Sequence, residues 1–167
     1  MGGRDESRGV GQALNNSKKL RILVLCTGNS CRSQMAEGFF RHYGGDGVEV
    51  FSAGLEPKGV NPRAIEVMKE VGIDISHHTS DHLQKYIGQQ FDYVITVCDN
   101  AARNCPIFPG AGTRLHWPFA DPAEAIGDDE QVLAVFRSVR DEIGAKIKSW
   151  LAEGPSIDKR NDKRNVS

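Results

Sequence analysis

Leu20-Arg21-Ile22-Leu23-Val24-Leu25-Cys26-Thr27-Gly28-Asn29-Ser30-Cys31-Arg32-Ser33 reads as a strand ending on a cysteine, followed by a loop ending on an arginine and a serine. Leu20 to Cys26 is a leucine-rich run of strand length with one charge, which predicts a strand covered on both faces. From Met35 the period changes: Met35, Ala36, Phe39, Phe40 and Tyr43 recur at helical spacing before Gly44 and Gly45. The C-x5-R-S segment therefore joins strand to helix, where it can wrap a tetrahedral oxyanion. Successive backbone N–H groups converge on such an anion, Gly28 and Asn29 tolerate unusual φ values, the helix N-terminus adds positive potential, and Arg32 grips two oxygens. The candidate oxyanion-binding residues are Thr27, Gly28, Asn29, Ser30, Cys31, Arg32 and Ser33. Cys26 lies beneath the anion, where the same field and a hydrogen bond from Ser33 favour a thiolate, so it is expected to be a nucleophile at neutral pH. Cys31 reads as a small, half-buried thiol without a chemical role.

The rest of the chain repeats the alternation. Val48 to Ser52 and Tyr93 to Cys98 are further strand-like runs, and Thr113 to Trp117 is a short fourth, ended by Pro118. Asn61-Pro62 offers an N-cap and a first-turn proline to a helix carrying Ile65, Met68 and Val71, which Gly72 ends. The longest stripe joins Val132, Val135, Phe136, Val139, Ile143, Ile147, Trp150 and Leu151, with Arg137, Arg140, Asp141 and Lys148 off it. The expected fold is α/β, a central parallel sheet of about four strands flanked by helices, with ligands beyond the carboxyl ends of the strands.

At 167 residues one domain is expected, from 18 to 153, between polar tails at 1 to 17 and 154 to 167 that bury too little to offset ordering entropy. The 21 basic residues are scattered and balanced by 22 acidic ones, which argues against nucleic acid as a partner. No run approaches the roughly 20 apolar residues a membrane helix needs, and no apolar stretch precedes Leu20, so a cytoplasmic protein is expected. In that compartment the four cysteines should be thiols available for catalysis or redox work.

Two more segments carry chemistry. Asp121-Pro122 follows the aromatic stretch His116-Trp117-Pro118-Phe119, where a partly buried carboxyl can hold a proton for a departing oxygen. The C-x6-C pair in Cys98-Asp99-Asn100-Ala101-Ala102-Arg103-Asn104-Cys105-Pro106 does not suit zinc, which wants about four ligands at shorter spacing, and reads as a redox pair. His77 and His78 are given no role, because adjacent histidines point apart on an extended chain.

VLCTGNSCRSQMAEGF at 24 to 39 resembles the phosphate-loop signature of the low-molecular-weight tyrosine phosphatases, and more closely that of their thioredoxin-coupled arsenate reductase relatives. The 98 to 106 segment and His116-Trp117-Pro118-Phe119-Ala120-Asp121-Pro122 are similar to the same branch, and the likeness spans about residues 20 to 152. The resemblance implies reduction of arsenate to arsenite, with Cys26 as nucleophile, Arg32 as clamp and Asp121 as general acid. It implies a transient Cys26–Cys98 disulfide and then a redox-active Cys98–Cys105 disulfide that thioredoxin opens, with phosphate and sulfate as competing anions. No tightly bound cofactor is implied beyond a potassium ion held behind the loop by residues matching Asn29, Glu37, Ser52 and Asp81. The alternative is a low-molecular-weight protein tyrosine phosphatase, which would use Cys26, Arg32 and Asp121 and leave Cys98 and Cys105 idle. The stretch after Asp121-Pro122, AEAIGDDEQ, offers no aromatic side chain for a phosphotyrosine trench.

Overall fold

The computed structural model describes residues 19–104 and 111–156. Four strands, β1 (Leu20–Cys26), β2 (Val48–Gly54), β3 (Phe91–Thr96) and β4 (Ala111–His116), form one parallel sheet in the order β2-β1-β3-β4. The helices are α1 (Arg32–Gly44), α2 (Pro62–Glu70), α3 (Asp99–Asn104) and α4 (Asp129–Ala152). The family-like α/β architecture expected from the sequence is the one observed. Ile22, Leu23, Val24 and Leu25 are all buried, as a strand covered on both faces requires.

Helix α1 lies against β1 and β2 and packs along α4, which α2 also joins. Phe39, Phe40, Phe136, Val139, Ile143 and Ile147 are buried in the core; the apolar stripe of α4, expected from the sequence to lie on the sheet, packs chiefly on α1 and α2, and Val135 of that stripe is exposed. The start of α4 is fixed by a capping box between Asp128 and Gln131, and α2 by the Asn61 side chain accepting from Arg63 N–H. Gly72, with φ of 81°, follows α2 in the left-handed conformation that the sequence assigned to it.

Strand boundaries differ from the sequence reading: β3 and β4 each begin two residues earlier, and β4 ends at His116. β3 stops at Thr96, so Cys98 lies beyond the strand and directly before α3, a helix too short for its period to show. β2 runs on to Gly54, where the chain passes so close to the next loop that a Cβ would lie 2.6 Å from the Thr27 carbonyl oxygen and 2.9 Å from Asn29 N. The carboxyl ends of β1 and β3 thus deliver Cys26 and Cys98 to one edge of the sheet. Cys105, residues 1 to 18 and most of the expected C-terminal tail, 157 to 167, lie outside the described residues.

Candidate active site

The loop from Cys26 to Ser33 is held from outside as well as within. Leu55 N, Glu56 N, Lys58 N and Asn61 N donate to the carbonyls of Cys26, Thr27, Gly28 and Ser30 at 3.3, 2.8, 2.9 and 3.0 Å. These bonds occupy carbonyls and leave the loop's N–H groups to converge on an anion. Asn29 is fully buried with φ of 46°, the left-handed conformation that asparagine tolerates better than most residues. Its Nδ2 donates to Ser33 Oγ and Ser52 Oγ, both at 2.9 Å, and its Oδ1 accepts from Asp81 N at 2.8 Å. Gly28, expected to share that conformation, is not among the positive-φ residues; the strain sits on Asn29 alone. Because Ser33 Oγ accepts from Asn29, its single O–H remains to donate elsewhere.

Cys26 and Cys98 are both buried free thiols that line the same cavity, near enough for each to shift the titration of the other. Cys98 is the better supplied with donors. Asn100 Nδ2 donates to Thr27 Oγ1 at 2.9 Å, so the Thr27 hydroxyl proton is free to point at Cys98 Sγ, 3.3 Å away. Ala101 N–H, in the first turn of α3, donates to the same sulfur at 3.4 Å. The Cys26 thiol first, then Thr27 and Ala101, therefore pull Cys98 down from the ordinary thiol value to about 5 against its burial. Cys26 moves up, because its bond to Cys98 and its own burial outweigh the pull of Arg32. The two thiols are therefore pushed in opposite directions by each other and by their surroundings. At Cys26 the Arg32 charge and the Gly28 N–H favour the thiolate expected from the sequence, while Cys98 and burial oppose it. Cys31 is fully buried, not half-buried, and burial pushes it up to about 11, consistent with an inert thiol.

The sulfurs open on a cavity of about 460 Å³ lined by the loop, by Arg32 and Asp121, and by Lys58, Asn100 and Glu124. Arg32 Nη1 donates to the Phe119 carbonyl at 3.1 Å and Nη2 lies 3.5 Å from Asp121 Oδ2. Its Nε is buried without a hydrogen-bond partner among the described residues, the kind of orphaned donor that a bound oxyanion would satisfy. Asp121 caps a 3₁₀ turn, Pro122–Glu124, through its bond with Ala123 N, so its carboxyl is oriented at the cavity wall and partly shielded. No aromatic side chain of the described residues lines this cavity.

The model of the low molecular weight phosphotyrosine protein phosphatase family matches residues 21–163. The arsenate reductase of Halalkalibacterium halodurans is 55% identical over 133 residues, covering 80% of this chain and 96% of that protein. The chain belongs to this phosphatase family, on its arsenate reductase branch. Among solved structures, an arsenate reductase in its phosphate-binding state matches with a TM-score of 0.69 at 37% identity, over 80% of this chain and 98% of that one. A thioredoxin-dependent arsenate reductase of Corynebacterium glutamicum matches with a TM-score of 0.64 at 28% identity, over 90% of this chain and 71% of that one.

Behind the loop of this arsenate reductase relative, the residues assigned to potassium by resemblance are brought together. Ser52 Oγ donates to Glu37 Oε1 at 2.6 Å and accepts from Asn29, which in turn holds Asp81 N. Carboxylate, hydroxyl and amide oxygens are the hard donors that such a cation takes. Glu37 is buried, however, and already ion-paired with Arg41, while the Asp81 carboxylate is engaged by Thr79 and Lys85. The donor types fit, but an ion would share these carboxylates with cations of the chain itself. His77 and His78 do not point apart as expected: their rings meet edge to face at 4.9 Å, and His78 bonds to Gln34 and Arg41.

Sequence reasoning missed several residues at the site. Thr27, assigned to the oxyanion, also supports Cys98, and Asn100 supports Thr27; the only signal was their closeness to the two cysteines. His116, quoted only as part of a motif, bridges Thr96 Oγ1 (2.8 Å) and Asp99 Oδ1 (2.9 Å), tying β4 to the start of α3. Lys58 carried no signal at all.

Proposed function

We propose that the protein is a cytoplasmic, thioredoxin-coupled arsenate reductase, and the observation that carries this reading is the pair of buried free thiols, Cys26 and Cys98, lining one oxyanion cavity. A hydrolytic phosphatase completes its cycle with water and has no use for a second sulfur in contact with its nucleophile. A reductase must supply two electrons, and two thiols that close to a disulfide supply them.

Arsenate enters the 27 to 33 loop, where the backbone N–H groups and Arg32 bind its oxygens; phosphate and sulfate compete for the same place. The Cys26 thiolate forms a bond to arsenic as one hydroxyl leaves, protonated by Asp121 to water. Cys98, its proton given up to the departing product, then attacks the Cys26 sulfur. The sulfur–arsenic bond breaks, arsenic keeps the electron pair and leaves as arsenite, and a Cys26–Cys98 disulfide forms. Cys105 attacks Cys98, frees Cys26 as a thiolate and leaves a Cys98–Cys105 disulfide for thioredoxin to reduce. A potassium ion held by Asn29, Glu37, Ser52 and Asp81 would add positive charge behind the loop.

The coupled assay with thioredoxin, thioredoxin reductase and NADPH tests this directly. The parent should oxidise NADPH only when arsenate is present. Cys26→Ser should abolish turnover, and Arg32→Ala should lower kcat/KM by about a thousandfold or more, as loss of a charge-stabilising donor does. Arsenate-dependent turnover at the parental rate in Cys26→Ser would overturn the assignment.

A further inference from the structure

Lys58 belongs to neither the phosphate loop nor the relay, yet it lines the same cavity. Its position there is set by the backbone: Lys58 N donates to the Gly28 carbonyl within the ladder that runs from residue 55 to 61 along the loop. Its aliphatic stem is guided over Gly28, with Cδ and Cγ 3.5 and 3.6 Å from where a Cβ on that glycine would sit. No carboxylate of the described residues is ion-paired with it, whereas Arg21, Arg63, Arg137 and Arg140 all have such partners.

The charges around the cavity give that free cation a task. Asp121 and Glu124 also line the cavity and add negative potential to it when ionised. Against them stands Arg32, which already divides its guanidinium between Asp121 and the Phe119 carbonyl. A multiply charged tetrahedral anion brings more negative charge than the single guanidinium of Arg32 can balance, which leaves a place for a second cation. Lys58 is the remaining Lys or Arg among the described residues lining the cavity. We propose that Lys58 is a second substrate-binding cation, which closes over Gly28 and places its ammonium on an outward oxygen of the anion held by the loop. The step depends on the oxyanion reading proposed above but not on the redox relay. A flexible ammonium suits this place because it acts as a point charge that follows the anion in and out, while the planar fork of Arg32 fixes orientation.

The test uses the full-length parent, Lys58→Ala and Lys58→Arg. One readout is the phosphate concentration that half-protects Cys26 from iodoacetamide, followed on the Cys26 peptide by mass spectrometry; the other is KM and kcat for arsenate at low and high salt. Lys58→Ala should raise both the half-protecting phosphate concentration and KM by about tenfold at low salt, the scale of one partly screened charge contact. Its kcat should stay within about twofold of the parent, because binding and not chemistry is lost. The difference should shrink as salt rises, and Lys58→Arg should recover most of it. A merely structural lysine would change melting temperature and kcat instead, with no salt dependence. Unchanged phosphate protection in Lys58→Ala overturns the proposal even if arsenate is reduced. Weakened protection in Lys58→Ala, together with a parent that does not reduce arsenate, would uphold Lys58 and sink the reductase.

Discussion

The two cysteines that face each other across the cavity sit on supports of opposite character. Cys26 begins a loop secured by four backbone hydrogen bonds from the 55 to 61 segment and by a buried asparagine with both polar side-chain atoms bonded. Cys98 precedes a helix of six residues in which Ala101 is the buried side chain, attached by Asn100 to Thr27 and by Asp99 to His116. Few buried apolar contacts and exposed polar ties are the physical signature of a segment that opens at low cost. The contrast matches the chemistry: an oxyanion needs a rigid cradle, and a sulfur that must attack first one partner and then be attacked by another needs freedom to move.

Substitutions on the two sides should therefore differ in kind. Gly54→Ala, which drives a Cβ into the Thr27 carbonyl, should cost about 3 kcal/mol or more and lower the melting temperature with loss of anion binding, since backbone cannot give way as a side chain can. Asn100→Ala should cost only about 1 kcal/mol, the net worth of a partly exposed hydrogen bond, and should speed amide exchange in 98 to 104 while leaving the loop protected. Equal effects at the two sites would erase the distinction.

The sulfur pair adds a pH signature. Cys98 is depressed to about 5 in the folded chain against 9.0 for an ordinary thiol, so between these values the unfolded state binds the extra proton and stability rises with pH. That contribution is complete above 9 and is lost as pH falls through 5. Cys26 shifts the other way, so above 9 the unfolded chain sheds a proton that the folded chain keeps, and stability declines. Denaturant titrations across this range should show the rise in the parent and its absence in Cys98→Ala.

The smallest effect concerns potassium. With Glu37 already ion-paired with Arg41, binding should raise stability by less than about 1 kcal/mol. Melting temperatures in matched potassium and tetramethylammonium buffers measure it, and equal values would remove the ion site.

Most of the architecture was legible in the sequence because β1, α1 and α4 carry strong, unbroken periods and Gly and Pro mark their ends. The site was legible where chemistry is local: Cys26, Arg32 and Ser33 lie on one short loop. What escaped depends on partners distant in the chain. The burial of Glu37 follows from Ser52 and Arg41, the low pKa of Cys98 from Thr27, Asn100 and Cys26, and the place of Lys58 from a backbone ladder that has no side-chain pattern. Helix α3 escaped because six residues with two alanines among polar side chains cannot display a period.

The relay itself is tested most directly by giving Cys105→Ser one round of arsenate without external reductant and identifying the products. Cys105→Ser should release one equivalent of arsenite and stop, with a Cys26–Cys98 disulfide visible by mass spectrometry and any p-nitrophenyl phosphate hydrolysis of the parent retained. Multiple turnovers with thioredoxin at the parental rate, with no Cys26–Cys98 disulfide at any time, would contradict the relay and return the protein to the phosphatases.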